Sequence, residues 1–415
     1  MTANQSARLK TNIDFIDFLW STETLVTLES AADTFVKHED GTVKIWAASR
    51  DWFLEEWGRD TFISLPGLLL STGRYDEAKQ VFLHFAEYEN NGLIPNIVRN
   101  GELSYNTVDA SLWFIHALKK YVDITEDWAF VEQLLPTIKN ILTGYTNGTT
   151  FNRNGQDHFI GMDQNDGLII SPSQTTWMDA DPSGNGSQAV TPRNGKAVEI
   201  NALWYGALKF AMSVEGRFGD DVSELKKRAE LVQASFVEKF WNHENNSLMD
   251  VIEGDSHSAA IRPNQIIAIS HAADLLTLEQ QQQVLATVER ELLTIGGLRT
   301  LSKKDSHYIG QYDTFAPVQV KDLAYHQGTI WPWLIGPYCD AVRIVESQQG
   351  TPAEAINREI GELIAPLVRF CLDSEHTSLP EVFSADEPYE PGGTTSQAWS
   401  IAEVLRILKS TTTNF

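Results

Sequence analysis

Apolar residues recur at three- and four-residue spacing along most of this chain, the period that places side chains on one face of an α-helix. Val108, Leu112, Ile115, Leu118 and Val122 form one such stripe, and Phe130, Val131, Leu134, Leu135, Ile138 and Ile141 form the next. The same pattern predicts helices near 10–32, 61–72, 75–90, 197–214, 221–241, 263–275, 277–292, 325–347, 352–372 and 394–410, about a dozen in all. Most are followed by Gly, Asn or Pro, which stop helices by entering left-handed backbone or by lacking an amide proton. Extended structure is clearest at 35–48, where Phe35-Val36-Lys37-His38 and Val43-Lys44-Ile45-Trp46 flank an Asp40-Gly41 hairpin turn.

No Pro- or Ser/Gly-rich linker, low-complexity tract or internal repeat divides the chain. An all-α protein is therefore expected, with residues 1–45 carrying an N-terminal helix and hairpin and residues 46–415 forming one helical body. The segments richest in polar and aromatic residues fall between helices, at 52–60, 101–109, 171–196, 301–328 and 379–395. Helices paired as hairpins around a common axis bring alternate connections to one end, as in an α/α barrel.

Composition narrows the function. The 415 residues are 42% hydrophobic and 21% charged, enough apolar material for a substantial core. A formal net charge of −24 opposes binding to nucleic acid or an anionic membrane, since both need Lys/Arg footprints. There is no apolar run of eighteen residues and no basic-then-apolar leader, and the only cysteines are Cys339 and Cys371, so a cytoplasmic protein is expected. Neutral ligands are indifferent to the charge. The twelve tryptophans, many beside carboxylates and amides, suit sugars, whose C–H faces stack on indoles.

Candidate chemistry lies in those connections. Trp177-Met178-Asp179 enters a turn-rich stretch, and an acid held near an indole has its pKa raised toward general-acid range. Glu381 follows Pro380 at what reads as the mouth of a helix, where the dipole lowers its pKa and keeps it ionised as a general base requires. Trp57-Gly58-Arg59-Asp60 has two readings: a helix cap with an adjacent ion pair, or a sugar clamp in which Arg59 donates, Asp60 accepts and Trp57 stacks. Asn106 and Asp109 repeat that choice. Arg193, Lys196 and Glu199 frame another turn and helix start, and His326 with Gln327 either completes the core or binds hydroxyls. No metal-ligand spacing, Walker loop, Rossmann fingerprint or GxSxG elbow occurs, so neither metal nor cofactor is expected.

Taken in order, Trp57–Thr61, Tyr105–Phe114, Thr176–Ala180, Thr191-Pro192-Arg193, Lys196, Val198–Tyr205, Arg262–Gln265, Tyr325–Trp333 and Gln397–Ser400 resemble the C-terminal amylo-α-1,6-glucosidase domain of the glycogen debranching enzyme family. The Trp-x-Arg-Asp element is also similar to the sugar clamp of glucoamylases. The resemblance implies an (α/α)6 barrel and an exo-acting, inverting α-glucosidase that removes terminal α-1,6-linked glucose, with Asp179 as general acid and Glu381 as general base. It places Trp57, Arg59, Asp60, Asn106, Asp109, Trp177, Arg193, Lys196, Glu199, His326 and Gln327 around the glucose. The implied partners are a neutral oligosaccharide or polysaccharide and a separate glucan-acting transferase. Family members commonly carry a large N-terminal domain. Lys321-Asp322 stands where Arg-Asp is usual, and the stretch Ser384–Pro391 differs, so the aglycone side departs most from the pattern. Alternatives are a trehalose-like or glucosyl-polyol substrate for the same centre, or a non-catalytic glycan-binding module.

Overall fold

The computed structural model describes residues 18–412 apart from 100, 185–186, 254–255 and 374–376, so the expected helical turns before residue 18 lie outside the described residues. Thirteen α-helices are present among them: α1 (Thr22–Asp33), α2 (Gly58–Leu65), α3 (Tyr75–Ala86), α4 (Ala110–Thr125), α5 (Trp128–Asn147), α6 (Val198–Arg217), α7 (Ser223–Phe240), α8 (Ile266–Ala272), α9 (Leu278–Glu291), α10 (Val318–Tyr325), α11 (Ile335–Gln348), α12 (Ala353–Asp373) and α13 (Ala398–Thr412). Local chemistry sets several boundaries. Thr277 and Gln280 exchange hydrogen bonds in a capping box before α9, and the Asp127 carboxylate accepts from Phe130 N at 3.2 Å to open α5.

Six helices pack in cyclic order. α2 lies on α4, α4 on α6, α6 on α8, α8 on α11, α11 on α13, and α13 returns to α2. These helices are buried nearly all round, as in the unbroken buried runs of α2, Ala110–Leu118, Val198–Leu208 and Ala398–Leu405. The ring closes tightly: a Cβ at Gly67, just after α2, would stand 1.9 Å from the Ala402 carbonyl oxygen of α13. Outside the ring, α1, α3, α5, α7, α9 and α12 each bury one stripe against the inner helices; α7, for example, packs on α6, and α12 on α11 and α13. α1 packs on α13 and α12. The hairpin after it pairs Val36–Glu39 with Thr42–Ile45, with Asp40 at φ 51° and Gly41 at φ 78° in the turn.

Short strands decorate one end of the ring. Glu56–Trp57 and Lys196–Ala197 run directly into α2 and α6, and Ile330–Trp331 runs into the turn before α11. The helix expected over 325–347 is instead broken: α10 ends at Tyr325, Ile330–Trp331 pairs with Leu298–Arg299 and with Phe383, and α11 begins at Ile335. Gly328 permits the break, at φ 155°, because a Cβ there would lie 2.4 Å from the Ile309 carbonyl oxygen. A second hairpin, Thr149–Arg153 with Gln156–Met162, was not anticipated, although its Asn154-Gly155 turn is a strong local cue. No helix among the described residues is long and apolar enough to cross a membrane.

Candidate active site

Arg59, in the first turn of α2, is the hub of the strand-bearing end. Its buried guanidinium donates from Nε to Asp109 Oδ2 at 2.7 Å, from Nη1 to Asp179 Oδ2 at 2.9 Å and from Nη2 to the Thr175 carbonyl at 3.4 Å. Burial opposes its charge, but the two carboxylates outweigh burial and hold it protonated. Asp60 is not a cap, because Trp57 occupies the N-cap position; its Oδ1 accepts from Gln397 Nε2 at 3.1 Å. Asp109 does occupy the N-cap position of α4, yet no cap bond forms from its side chain, which turns to Arg59.

Two carboxylates thus bond the guanidinium, Asp60 feels its charge, and Glu381 lies within electrostatic reach of Asp60 and Asp179. Asp60 is pushed up to about 8, first by burial and then by Glu381 and Asp179, against the pull of Arg59. Asp109 is pushed up to about 6 by burial, with Arg59 opposing, and its Oδ1 has no protein partner. Glu381 departs from expectation. It precedes the strand Val382–Phe383 rather than a helix, and burial pushes it up to about 7, against hydrogen bonds from the Tyr325 hydroxyl and Thr394 N. Asp179 is the accessible member, its side chain 33% exposed. Trp57 stands half-buried beside them, edge-on to Phe53 at 5.2 Å, with an indole N–H that no protein atom accepts.

Other expected site residues serve the acid-bearing loop from behind. The Trp177 indole is buried against His326, Trp331 and Trp333, and its Nε1 donates to Asn264 Oδ1 at 2.7 Å. Asn264 Nδ2 donates to Asp250 Oδ1 at 2.7 Å, and Asp250 accepts from Arg193 Nε at 2.8 Å. Arg193 also reaches Glu199 through Nη1 at 2.5 Å and Nη2 at 2.6 Å, Thr176 Oγ1 at 3.0 Å and Asp250 Oδ1 at 3.1 Å. All five of its N–H donors are used, leaving none for a sugar. Lys196 gives two of its three N–H donors to Asp163 at 2.8 Å and Asp166 at 2.5 Å. Trp177, Arg193 and Glu199 are therefore engaged in a buried network that holds the 171–196 loop from behind.

His326 is wholly buried, stacked on Trp331 at 5.1 Å, and both ring nitrogens lack protein partners. Burial, with Arg262, Arg59 and Arg193 nearby, keeps the ring neutral. Gln327 is pinned between Arg262 Nη2 at 2.7 Å and the Val190 carbonyl at 3.2 Å, and Asn106 accepts from Ser104 Oγ at 3.0 Å on the loop before α4. Tyr325, Gln397, Thr394 and Asp250 were not singled out as site residues. Asp250 has a cue, an acid inside the apolar run Leu248-Met249-Asp250-Val251-Ile252; Tyr325 adjoins His326, Gln397 opens the Gln397–Ser400 motif, and Thr394 lies in the 379–395 connection.

An acid and a base on either side of a hydroxyl-reading clamp can cleave an acetal, one protonating the leaving oxygen while the other draws a proton from attacking water. The chain is a glycoside hydrolase. The profile of the family described as amylo-alpha-1,6-glucosidase matches residues 29–406, and the chain belongs to that family. It is similar to the glycogen debranching enzyme of Saccharomyces cerevisiae (strain ATCC 204508 / S288c), 27% identical over 446 residues, and the match covers 85% of this chain and 29% of that protein's length. Among solved structures it is similar to a GH63 mannosylglycerate hydrolase from Thermus thermophilus, with TM-score 0.66 at 13% identity, covering 91% of this chain and 99% of that one. A rhamnosidase from Klebsiella oxytoca with rhamnose bound aligns with TM-score 0.59 at 15% identity, covering 93% of this chain and 63% of that one. At such identities the structural likenesses speak to fold alone.

Proposed function

We propose that the ring of inner helices and its outer layer form an (α/α)6 barrel, and that the chain is an exo-acting, inverting α-glucosidase releasing terminal α-1,6-linked glucose from oligosaccharides or branched glucans. The observation that carries this reading is the convergence of Asp179 and Glu381 on one clamp: Arg59 holds Asp179 directly, and Asp60 lies within electrostatic reach of both acids. Asp179, the more exposed, protonates the glycosidic oxygen. Glu381, buried and steadied by Tyr325, takes a proton from the water that attacks the anomeric carbon. Asp60, Asp109 and Trp57 form the clamp for the glucose. A neutral substrate accords with a chain of net charge −24.

Asp179→Asn keeps the size of the side chain but removes the transferable proton. It is expected to lower kcat for isomaltose at least a hundredfold, the order of a general-acid contribution, while the protein stays folded. Proton NMR of the first-formed product is expected to show β-glucose. Wild-type rates in the variant, or α-glucose as first product, would overturn the mechanism.

A further inference from the structure

Asp179 and Glu381 come from connections far apart in the chain, and the gap between two such carboxyls decides whether a water fits between one of them and the sugar. The chain is anchored before Asp179 by the buried Trp177 indole. Arg59 then holds Asp179 by one carboxylate oxygen, an attachment about which the following peptides can still turn. A single segment, residues 308–327, which includes α10, bonds to both sides of the site.

On the base side, Gly310 O accepts from Ala385 N at 2.6 Å, Ser384 Oγ accepts from Tyr312 N at 3.0 Å, and Thr314 Oγ1 accepts from Gly393 N at 3.2 Å. The Tyr325 hydroxyl, at the end of α10, reaches Glu381 itself. On the acid side, Gln327 Nε2 donates to the Val190 carbonyl at 3.2 Å, and Val190 N donates at 3.3 Å to the carbonyl of Ala180, the residue after Asp179. Asp322 stands three residues before Tyr325 and so on the same face of α10, and its carboxylate accepts from the backbone N–H of Asp181. Gln327 is itself fixed. Arg262 Nη2 holds its Oε1 at 2.7 Å, its carbonyl accepts from Ile309 N at 2.6 Å, and Arg262 Nη1 is tied to the Thr300 and His326 carbonyls at 3.0 and 2.7 Å.

We propose that segment 308–327 is a spacer that sets the distance between the acid and the base, with Asp322 and Gln327 as positioning residues for Asp179. This rests on the assignment of Asp179 and Glu381 as acid and base above. Asp322 and Gln327 act through the backbone of the acid loop and not on the sugar: their bonds, at Asp181 and through Val190 at Ala180, fix the chain on the side of Asp179 that Trp177 does not anchor. The same short segment carries the contacts to Glu381, so a shift of the acid loop relative to the base has to break them. A misplacement of about 1 Å in a reacting group costs on the order of a hundredfold in rate, so hydrogen bonds of this kind are enough to govern turnover.

The test compares Asp322→Ala, Asp322→Asn and Gln327→Glu on isomaltose and on α-glucosyl fluoride, whose leaving group departs without a proton from the enzyme. Gln327→Glu keeps the acceptor for Arg262 and removes only the donor to Val190; Asp322→Asn keeps an acceptor for Asp181 N. In Asp322→Ala and Gln327→Glu, kcat for isomaltose is expected to fall at least tenfold while kcat for the fluoride stays within twofold, and Asp322→Asn is expected to restore most of the loss. Amide exchange in the 179–190 peptide is expected to quicken at least fivefold in the two impaired variants. Equal losses on both substrates would overturn the proposal, since they would place the side chains on the sugar or in the general fold. So would no loss on either, or unchanged exchange. If the wild type turned over neither substrate, the α-glucosidase reading would fail, and the exchange measurement would still decide whether Asp322 and Gln327 hold the loop.

Discussion

A carboxylate that draws a proton from water must itself be ionised, and burial works against this at Glu381, which is pushed up to about 7. The acidic limb of kcat/KM is therefore expected near pH 7, activity rising as Glu381 loses its proton. The Tyr325 hydroxyl favours the anion, so Tyr325→Phe should move that limb to higher pH; an unmoved limb in a pH–rate profile would remove Glu381 as the titrating base. Asp60, pushed up to about 8, acts on stability instead. Below about pH 4 it is protonated in both the folded and unfolded chains. Between there and about 8 the unfolded chain gives up the proton while the folded one keeps it, so stability falls as pH rises. Asp60→Asn should abolish much of that slope, raising Tm at pH 8 by an amount on the order of a few kcal/mol in free energy, while impairing glucose release. A Tm–pH profile parallel to wild type would contradict it. Arg59, Asp60, Asp109 and Asp179 were legible because charged residues in aromatic, turn-rich segments stand out locally. The environment of Glu381 was not, since Tyr325, Thr394 and Asp60 reach it from separate parts of the chain.

At the scale of elements, the 171–196 loop has little regular structure, and its shape depends on the buried chain of Trp177, Asn264, Asp250, Arg193 and Glu199. Replacing Arg193 with Met would leave Glu199 buried without its cation and Asp250 with Arg262 alone, 3.8 Å away. Breaking a buried pair in this way costs about 3–5 kcal/mol, measurable by urea denaturation, and kcat should fall because Asp179 lies on the loop so released. Unchanged stability would show that the network relaxes freely. The helices were readable because their stripes are local and their ends carry Gly, Asn or capping residues. The 325–347 segment misled because Ile330, Trp331, Trp333 and Leu334 fit a helical stripe, whereas the pairing that makes Ile330–Trp331 a strand comes from Leu298 and Phe383, distant in sequence. The helix-mouth reading of Glu381 failed for the same reason: its strand exists only through its neighbours.

Over the whole molecule, the placing of motifs in alternate connections anticipated that they would meet at one end, because consecutive helices run out and back. Closure of the ring was less visible, since it is a contact between helices far apart in the chain. That closure has a temporal consequence. A ribosome delivers α2 early and α13 late, and until α13 arrives the side of α2 and of the segment around Gly67 that faces it stays open, although α4 already covers another side. Gln397, which holds Asp60, arrives with the same helix. The nascent chain therefore carries a long-lived apolar seam with the sugar clamp unfinished, the kind of exposure that invites chaperones and aggregation. Hydrolytic competence and protection of the seam are acquired together, when α13 docks.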